Sequence, residues 1–412
     1  MNNNTRPLEG IKVVEMATFI AGPSCARYFA DLGASVIKVE SPQGDPIRYT
    51  AVNEGRPFGD MEDTTFTLEN TGKQCITLNI KSVAGREALE KLIAEADIFI
   101  TNVRPNGLKR AGLDYESLKI KYPSLVYGFV SGYGEKGPDK DLPGFDYTAF
   151  FARGGVIGTM YDVDSSPMTP IAGFGDHQVG MYLSAGVLAA LYRAKMTGVG
   201  DQVTVSLYHA ALWVTSLNLQ CNQYGDPSTQ YPISRKKISN PLNVAHKTKD
   251  GKLVQIAMPR YDFHYEPFMR VLEREDLIGD SRFFPQEELQ NNLDEFYDIL
   301  VKEIGKYTEE EFIARMKDAD LPFSSCLTWN EILTDEQAWE SEALTKVKFP
   351  SGQERTMVRT PSIFSDTELP SYERGRFLGE DTEAVLGALG YSKEQIEAMI
   401  AAGEATGCRR IG

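Results

Sequence analysis

The feature that most restricts this chain is an alternation of two periods along its first 130 residues. Short apolar runs at Ile11–Met16, Ser35–Glu40, Cys75–Ile80, Asp97–Thr101 and Leu125–Val130 read as strands. Helical stretches separate them: one opens at Gly22-Pro23 and runs to Gly33, one covers Gly85–Ala96, and one lies around Asn106–Tyr122. A strand that returns only after a helix cannot pair as a hairpin. It re-enters by a right-handed crossover, so the sheet is mostly parallel and covered on both faces. The expected class is α/β, with a Rossmann-like large domain.

Further on, Asp176–Lys195 predicts a single long helix that carries Arg193 and Lys195 in its last turn and ends at Thr197-Gly198. Its interior is apolar or small nearly all round, which predicts a deep position in the core. Gly200–Val205 reads as another strand. Composition changes near Tyr224: residues 223–240 are polar and irregular, and Val244–Met258 forms a hairpin pattern about Lys249-Asp250-Gly251. Helical, charged sequence follows to about Asp320. These signals place a smaller α+β domain at residues 225–330. The tail from Trp329 on contains turn chemistry and a last helix near Lys393–Ala402.

A formal charge of −15 disfavours nucleic acid or an anionic membrane as partner. One anionic small ligand is still compatible with it where basic residues gather. The longest apolar candidate, Tyr182–Tyr192, is broken by Ser184 and Gly186 and is shorter than the roughly 18 residues of a membrane span. Met1–Gly10 is polar, without the apolar stretch of a signal peptide. Five cysteines, odd in number and far apart, form neither a disulfide framework nor a CxxC pair, so a cytoplasmic protein is expected.

Most catalytic signatures are absent: there is no HExxH, no GxxxxGK[ST], and no serine in GxSxG. Four histidines (His177, His209, His246, His264) lack metal-ligand spacing, and no metal is expected. The first turn reads Ala21-Gly22-Pro23 rather than GxGxxG, and its proline removes a donor N–H, which argues against a nicotinamide dinucleotide. Residues 70–112 carry seven basic side chains (Lys73, Lys81, Arg86, Lys91, Arg104, Lys109, Arg110) against four acidic ones. Arg86 and Lys91 suit a solvated helix face. Lys81, Arg104 and Arg110 follow strand ends, where open α/β sheets bind ligands, and are candidates for phosphate. Asp176 follows Gly175 at the start of the long helix, where amides and the helix dipole favour an anion. Two readings stand there: a plain N-cap, the commoner use of aspartate, and an ionised nucleophile.

The ordered motifs resemble those of the family III CoA-transferases. The likeness rests on Leu8-Glu-Gly-Ile-Lys-Val-Val-Glu15, Ala21-Gly-Pro23, Leu32-Gly-Ala-Ser-Val-Ile-Lys-Val-Glu40, Leu78-Asn-Ile-Lys81, Asn102-Val-Arg-Pro105, Ser131-Gly-Tyr-Gly134, Gly175-Asp176 and Leu378-Gly-Glu-Asp-Thr-Glu383. It covers essentially the whole chain. It implies that Asp176 is the catalytic aspartate, which reverses the preference for a plain cap, and that Asp146 is a candidate to assist by hydrogen bonding. It also implies that coenzyme A is contacted at Phe19, Ile20, Ala21, Leu78, Lys81, Asn102, Val103, Arg104 and Arg110. Ser41 and Ile20 depart from the arginine and glutamine of formyl-CoA-type members, and the glycine-rich lid of that branch has no counterpart around 225–245, so oxalate and formyl-CoA are not expected substrates. Gly137–Gly155 instead resembles the 2-hydroxyacyl branch (phenyllactate and 2-hydroxyisocaproate CoA-transferases of anaerobic amino-acid fermenters). Phe145 and Tyr147, with Phe150 and Phe151, are candidates for an acyl pocket, though one helix cannot aim all four at one site.

The resemblance further implies acyl-CoA and a 2-hydroxy acid as substrates, no permanently bound cofactor, and an association with a 2-hydroxyacyl-CoA dehydratase. It implies a large CoA-binding domain built from residues 1–224 and 331–412, and two chains interlocked as a homodimer. Two rivals share the fold or the ligand. A 2-methylacyl-CoA racemase would need a histidine where Phe145 stands, and phenylalanine moves no proton. A non-catalytic acyl-CoA-binding protein would have no use for Asp176.

Overall fold

A computed structural model describes residues 6–226, 229–368 and 370–412. Met1–Thr5 of the polar N-terminal stretch, and Pro227 and Ser228 of the irregular segment, lie outside the described residues. The chain divides into two compact units. One comprises Met1–Val156, Pro170–Val214 and Glu336–Gly412, the other Ile157–Thr169 and Thr215–Asp335.

The first unit is built on six parallel strands: β1 (Lys12–Met16), β2 (Ser35–Glu40), β3 (Gln74–Thr77), β4 (Ile98–Thr101), β5 (Val126–Ser131) and β6 (Gln202–Ser206). Their order is β3-β2-β1-β4-β5-β6. Each anticipated strand is present, shifted at its ends by up to three residues. One face of the sheet meets the helices Val83–Ala94, Pro105–Ala111 and Tyr115–Lys121 together with the C-terminal helices Thr382–Ala388 and Lys393–Ala401, through Val14, Phe99, Leu89, Leu118, Leu386 and Met399. The other face meets the first helix (Ala21–Asp31) and the long helix (Phe174–Thr197), which are packed against each other. Their approach is close: a Cβ on Gly180 would overlap the Ser24 hydroxyl.

Three readings of the sequence are corrected. The helical stretch around Asn106–Tyr122 is two helices, because Gly112 takes a left-handed conformation (φ 67°) that ends the first. The long helix is buried along one stripe only (Val179, Leu183, Val187, Leu191, Ala194), while Tyr192 and Met196 are 72% and 70% exposed. Finally, the tail holds an antiparallel pair, β10 (Leu344–Lys348) with β11 (Glu354–Val358), where only turn chemistry was legible.

The second unit has a three-stranded antiparallel sheet: β7 (Ala245–Lys247), β8 (Leu253–Ile256) and β9 (Phe323–Ser325). The β7–β8 turn closes where anticipated, with Gly251 at φ 83° and its N–H donating to the Thr248 carbonyl. Helices Tyr261–Val271, Leu293–Ile304 and Glu309–Asp318 pack on this sheet through Phe268, Phe296 and Phe312.

Candidate active site

The strand order reverses between β1 and β4. The chain leaves β1 into the helix on one face and β4 into a helix on the other, so a crevice opens outside the carboxyl ends of the two strands. A cleft of about 580 Å³ lies there. Thr18, Phe19 and Ala21 line it from the end of β1, Asn102–Gly107 and Arg110 from the end of β4, and Phe129–Gly132 from β5. Lys140–Phe145, Asp176 and Leu207 complete the wall.

The two switch-point loops are tied to each other. Asn102 accepts the Thr18 N–H on Oδ1 (3.0 Å) and donates through Nδ2 to the Thr18 carbonyl (2.8 Å). The next residue, Phe19, sits at φ 63°, a left-handed conformation that costs a non-glycine residue roughly 1–3 kcal/mol. Something must hold it. The Phe19 N–H donates to Oδ1 of Asp45 (3.1 Å), and Oδ2 of Asp45 pairs with the Lys38 ammonium (2.9 Å). Lys38 also meets Glu15 (2.7 Å), whose other oxygen meets Lys73 (2.7 Å). All four side chains are fully buried, and the network supplies each charge with a partner of opposite sign. Lys73, counted with the basic stretch 70–112, thus belongs to the interior.

Asp176 stands on the third residue of the long helix. The N-cap is Gly173 (φ 82°), so the plain-cap reading of Asp176 fails. A glycine cap has no side-chain acceptor. Asp146, the first residue of a π-helical turn (Asp146–Ala152), fills that role from outside by accepting the Gly175 N–H at 3.1 Å. Residue 175 must be glycine for this: a Cβ would overlap both the Asp146 carboxylate and the buried Phe150 ring. Two carboxyls therefore share one helix N-terminus. Burial, then the Asp146 charge, pushes the Asp176 carboxyl up to about 7, with Glu69 acting the same way and His177 opposing. Burial likewise raises Asp146 to about 6, against the backbone N–H groups it accepts. Two neighbouring acids with displaced titrations are an arrangement typical of functional sites.

Of the residues expected to contact a ligand, Phe19, Ala21, Asn102, Val103, Arg104 and Arg110 line the cleft with Asp176. Arg104 and Arg110 are exposed and have no acidic partner among the described residues, so their charges are available to an anion. The Leu78 side chain is buried in the core, Ile20 packs towards Ile47 and Phe66, and Lys81 is exposed outside the lining. Phe145 lines the cleft and meets Phe19 edge-on at 6.1 Å. Tyr147 is 48% exposed and stands outside the lining, while Phe150 and Phe151 are core residues. The π-helical turn splits the four aromatics in half. Sequence reasoning missed Asp45, Glu15, Lys38 and Glu69. The available signal was charge inside strand-like runs, Glu15 in IKVVEM and Lys38 in SVIKVE. Among the described residues no group of three His, Cys, Asp or Glu side chains is placed to hold a metal, and no helix is long and apolar enough to cross a membrane.

The sequence model of CoA-transferase family III matches residues 8–382. Cinnamoyl-CoA:phenyllactate CoA-transferase of Clostridium sporogenes is 50% identical over 400 residues, covering 97% of each chain. (R)-2-hydroxy-4-methylpentanoate CoA-transferase of Clostridioides difficile is 41% identical over 389 residues, covering 94% of this chain and 97% of that one. Among solved structures, a CaiB/BaiF family protein from Brucella suis superposes with a TM-score of 0.79 at 28% identity, covering 93% of this chain and all of the other.

Proposed function

The chain belongs to CoA-transferase family III, and from that premise we propose that Asp176 is the nucleophile that moves coenzyme A from an acyl-CoA to a 2-hydroxy carboxylic acid. The observation that carries the assignment is one cleft, at the switch point of the sheet, that presents an aspartate on a helix N-terminus together with two unpaired arginines. As an enzyme of this family the chain uses CoA esters as substrates, and the relatives at 50% and 41% identity act on 2-hydroxy acids.

The steps need no external energy source. An Asp176 carboxylate oxygen attacks the thioester carbonyl, the C–S bond breaks, and its electron pair leaves on the CoA sulfur. The thiolate then attacks the aspartyl carbonyl of the mixed anhydride and releases the first acid. The resulting aspartyl-CoA thioester is attacked by the carboxylate of the incoming 2-hydroxy acid, and the reverse sequence delivers its CoA ester. A covalent aspartyl intermediate divides one difficult step into easier ones. The positive end of the long helix lies where oxyanions develop. Arg104 and Arg110 bind CoA phosphate, with Asn102, Val103 and the main chain of Phe19–Ala21 along the ligand; Ile20, Leu78 and Lys81 complete the contact set. Asp146 keeps the Asp176 turn in place, and Phe145 forms the cleft side of the acyl pocket, with Tyr147 beyond it.

The exposed apolar side chains Tyr192, Met196 and Trp213 support a homodimer, which the family resemblance makes interlocked. Free cysteines support a cytoplasmic location, and a 2-hydroxyacyl-CoA product supports delivery to a dehydratase. The test is mass spectrometry of CoA esters after mixing the protein with cinnamoyl-CoA or a branched enoyl-CoA and a panel of 2-hydroxy acids. New 2-hydroxyacyl-CoA is expected from the wild type and not from Asp176→Ala. Exchange retained by Asp176→Ala, or bound CoA esters left intact, overturns the assignment.

A further inference from the structure

Beside the nucleophile lies a pair of ionisable groups to which the reaction steps assign no part. The His177 Nε2 lies 2.9 Å from Oε1 of Glu69, on the helix Thr64–Asn70. Glu69 is 1% exposed, and its Oε2 has no hydrogen-bond partner. A carboxylate buried in this way needs a cation beside it, because an uncompensated buried charge is strongly unfavourable. The nearby arginine, Arg27, is engaged elsewhere, with the carbonyls of Leu68 and Val358 and with Asp31. That leaves His177 as the counter-ion of Glu69.

We propose that His177, held on Glu69, is a positioning residue whose imidazolium keeps the adjacent Asp176 carboxyl in the charged form that attacks the thioester. The proposal rests on the reading of Asp176 as nucleophile. Attack by carboxylate on a thioester expels thiolate and transfers no proton, so a protonated Asp176 must first release its proton to solvent. Side chains at i and i+1 of a helix diverge, so His177 acts on Asp176 through space rather than by a shared hydrogen bond. Asp146 faces Asp176 from the π-helical turn and Glu69 from the helix behind, both disfavouring its ionisation. His177 alone favours it. Arg27 opposes the charge on His177, and burial opposes it more strongly, but the hydrogen bond and charge of Glu69, with the charge of Asp176, prevail and raise the imidazole above its ordinary value.

The experiment is the pH profile of kcat/KM for CoA exchange between pH 5.5 and 9. In His177→Gln the acid limb is expected to move up by about one pH unit or more, so that activity at pH 6, each enzyme scaled to its own plateau, falls about tenfold below that of the wild type. At pH 9, where Asp176 ionises unaided, the variant recovers to near the wild-type rate. His177→Lys, which retains a cation, restores the limb. Loss by one constant factor at every pH, or a limb that does not move, overturns the proposal. Should His177→Gln fail to fold, an NMR titration of the four histidines in the wild-type protein decides the matter. An imidazole at 177 that charges only below its ordinary range overturns it. Failure of the nucleophile reading is distinct: Asp176→Asn would then retain exchange at all pH values.

Discussion

Replacing Asp176 by asparagine is predicted to stabilise the protein at neutral and alkaline pH while abolishing exchange. In the folded chain the carboxyl is held at about 7 against an ordinary value of 3.8, with burial and then the Asp146 charge as causes. The folded state therefore retains the proton between those values and the unfolded state does not, so stability is lost as pH rises from about 4 to 7. At 1.36 kcal/mol per pH unit of difference, ionised Asp176 costs roughly 4 kcal/mol as an upper figure. Water penetration and relaxation halve it in effect, to ~2 kcal/mol, at the effective dielectric of real proteins. Against this, an anion in the first turn of a helix contributes about 0.3–1 kcal/mol, which asparagine forfeits. The balance still favours asparagine by ~1 kcal/mol or more at pH 8. The assay is the melting temperature of Asp176→Asn and wild type from pH 4 to 8.5. The variant should melt close to wild type at pH 4 and above it at pH 8, the gap opening through pH 5–7. A gap that is independent of pH, or a variant that melts lower at pH 8, would refute the reasoning.

Three further outcomes follow from the same geometry. Arg104→Ala and Arg110→Ala should each raise KM for the acyl-CoA roughly 10–100-fold with little change in kcat, since a hydrogen bond to a charged group is worth ~1.5–3 kcal/mol; a KM that stays put would remove them from the ligand. Gly175→Ala gains about 1 kcal/mol of helix propensity but forces a methyl into Asp146 and Phe150, an overpacking cost of ~1–3 kcal/mol, so both melting temperature and kcat should fall. Asp45→Asn leaves Lys38 short of one of its two buried carboxylate partners, and urea unfolding should show a loss of ~3 kcal/mol, the lower end for a broken buried pair.

The parallel sheet was legible because burial on both faces demands continuous apolar runs, and one stands out at Leu125–Val130. The helix around Asn106–Tyr122 was read as one because a single glycine in a periodic stretch does not announce its sign of φ. The pair β10–β11 was missed since its strands, Leu344–Lys348 and Glu354–Val358, are half polar and exposed along one side. The site divides in the same way. Asp176, Arg104 and Arg110 sit next to strand or helix ends, which a sequence marks. Glu69 lies more than a hundred residues from His177, and Asp45 reaches Phe19 from a loop, so both contacts depend on tertiary folding that no local period encodes. The extent of exposure along the long helix was misjudged for a related reason. Tyr192 and Met196 are apolar, and apolarity alone does not say whether the chain's own core or another surface covers a residue.

The division of labour between Asp146 and Asp176 follows from the glycines at 173 and 175. A serine or aspartate at the N-cap would bond the first-turn amides with its own side chain and leave no place for an outside acceptor. With glycine there, the capping is handed to Asp146, whose backbone belongs to another element and whose carboxylate is 6% exposed. Asp176, one residue past that contact, is then free of capping duty and lines the cleft. The arrangement brings two like charges to one buried helix end, and burial first, then their repulsion, carries the nucleophile's titration into the neutral range. A carboxylate raised in this way is a stronger nucleophile once ionised than one held near 4, because basicity and nucleophilicity rise together, yet it must be ionised to react. The same repulsion that activates Asp176 thus lowers its charged fraction at neutral pH. A cation close by, on a side that does not face the thioester, relieves that conflict without occupying the cleft.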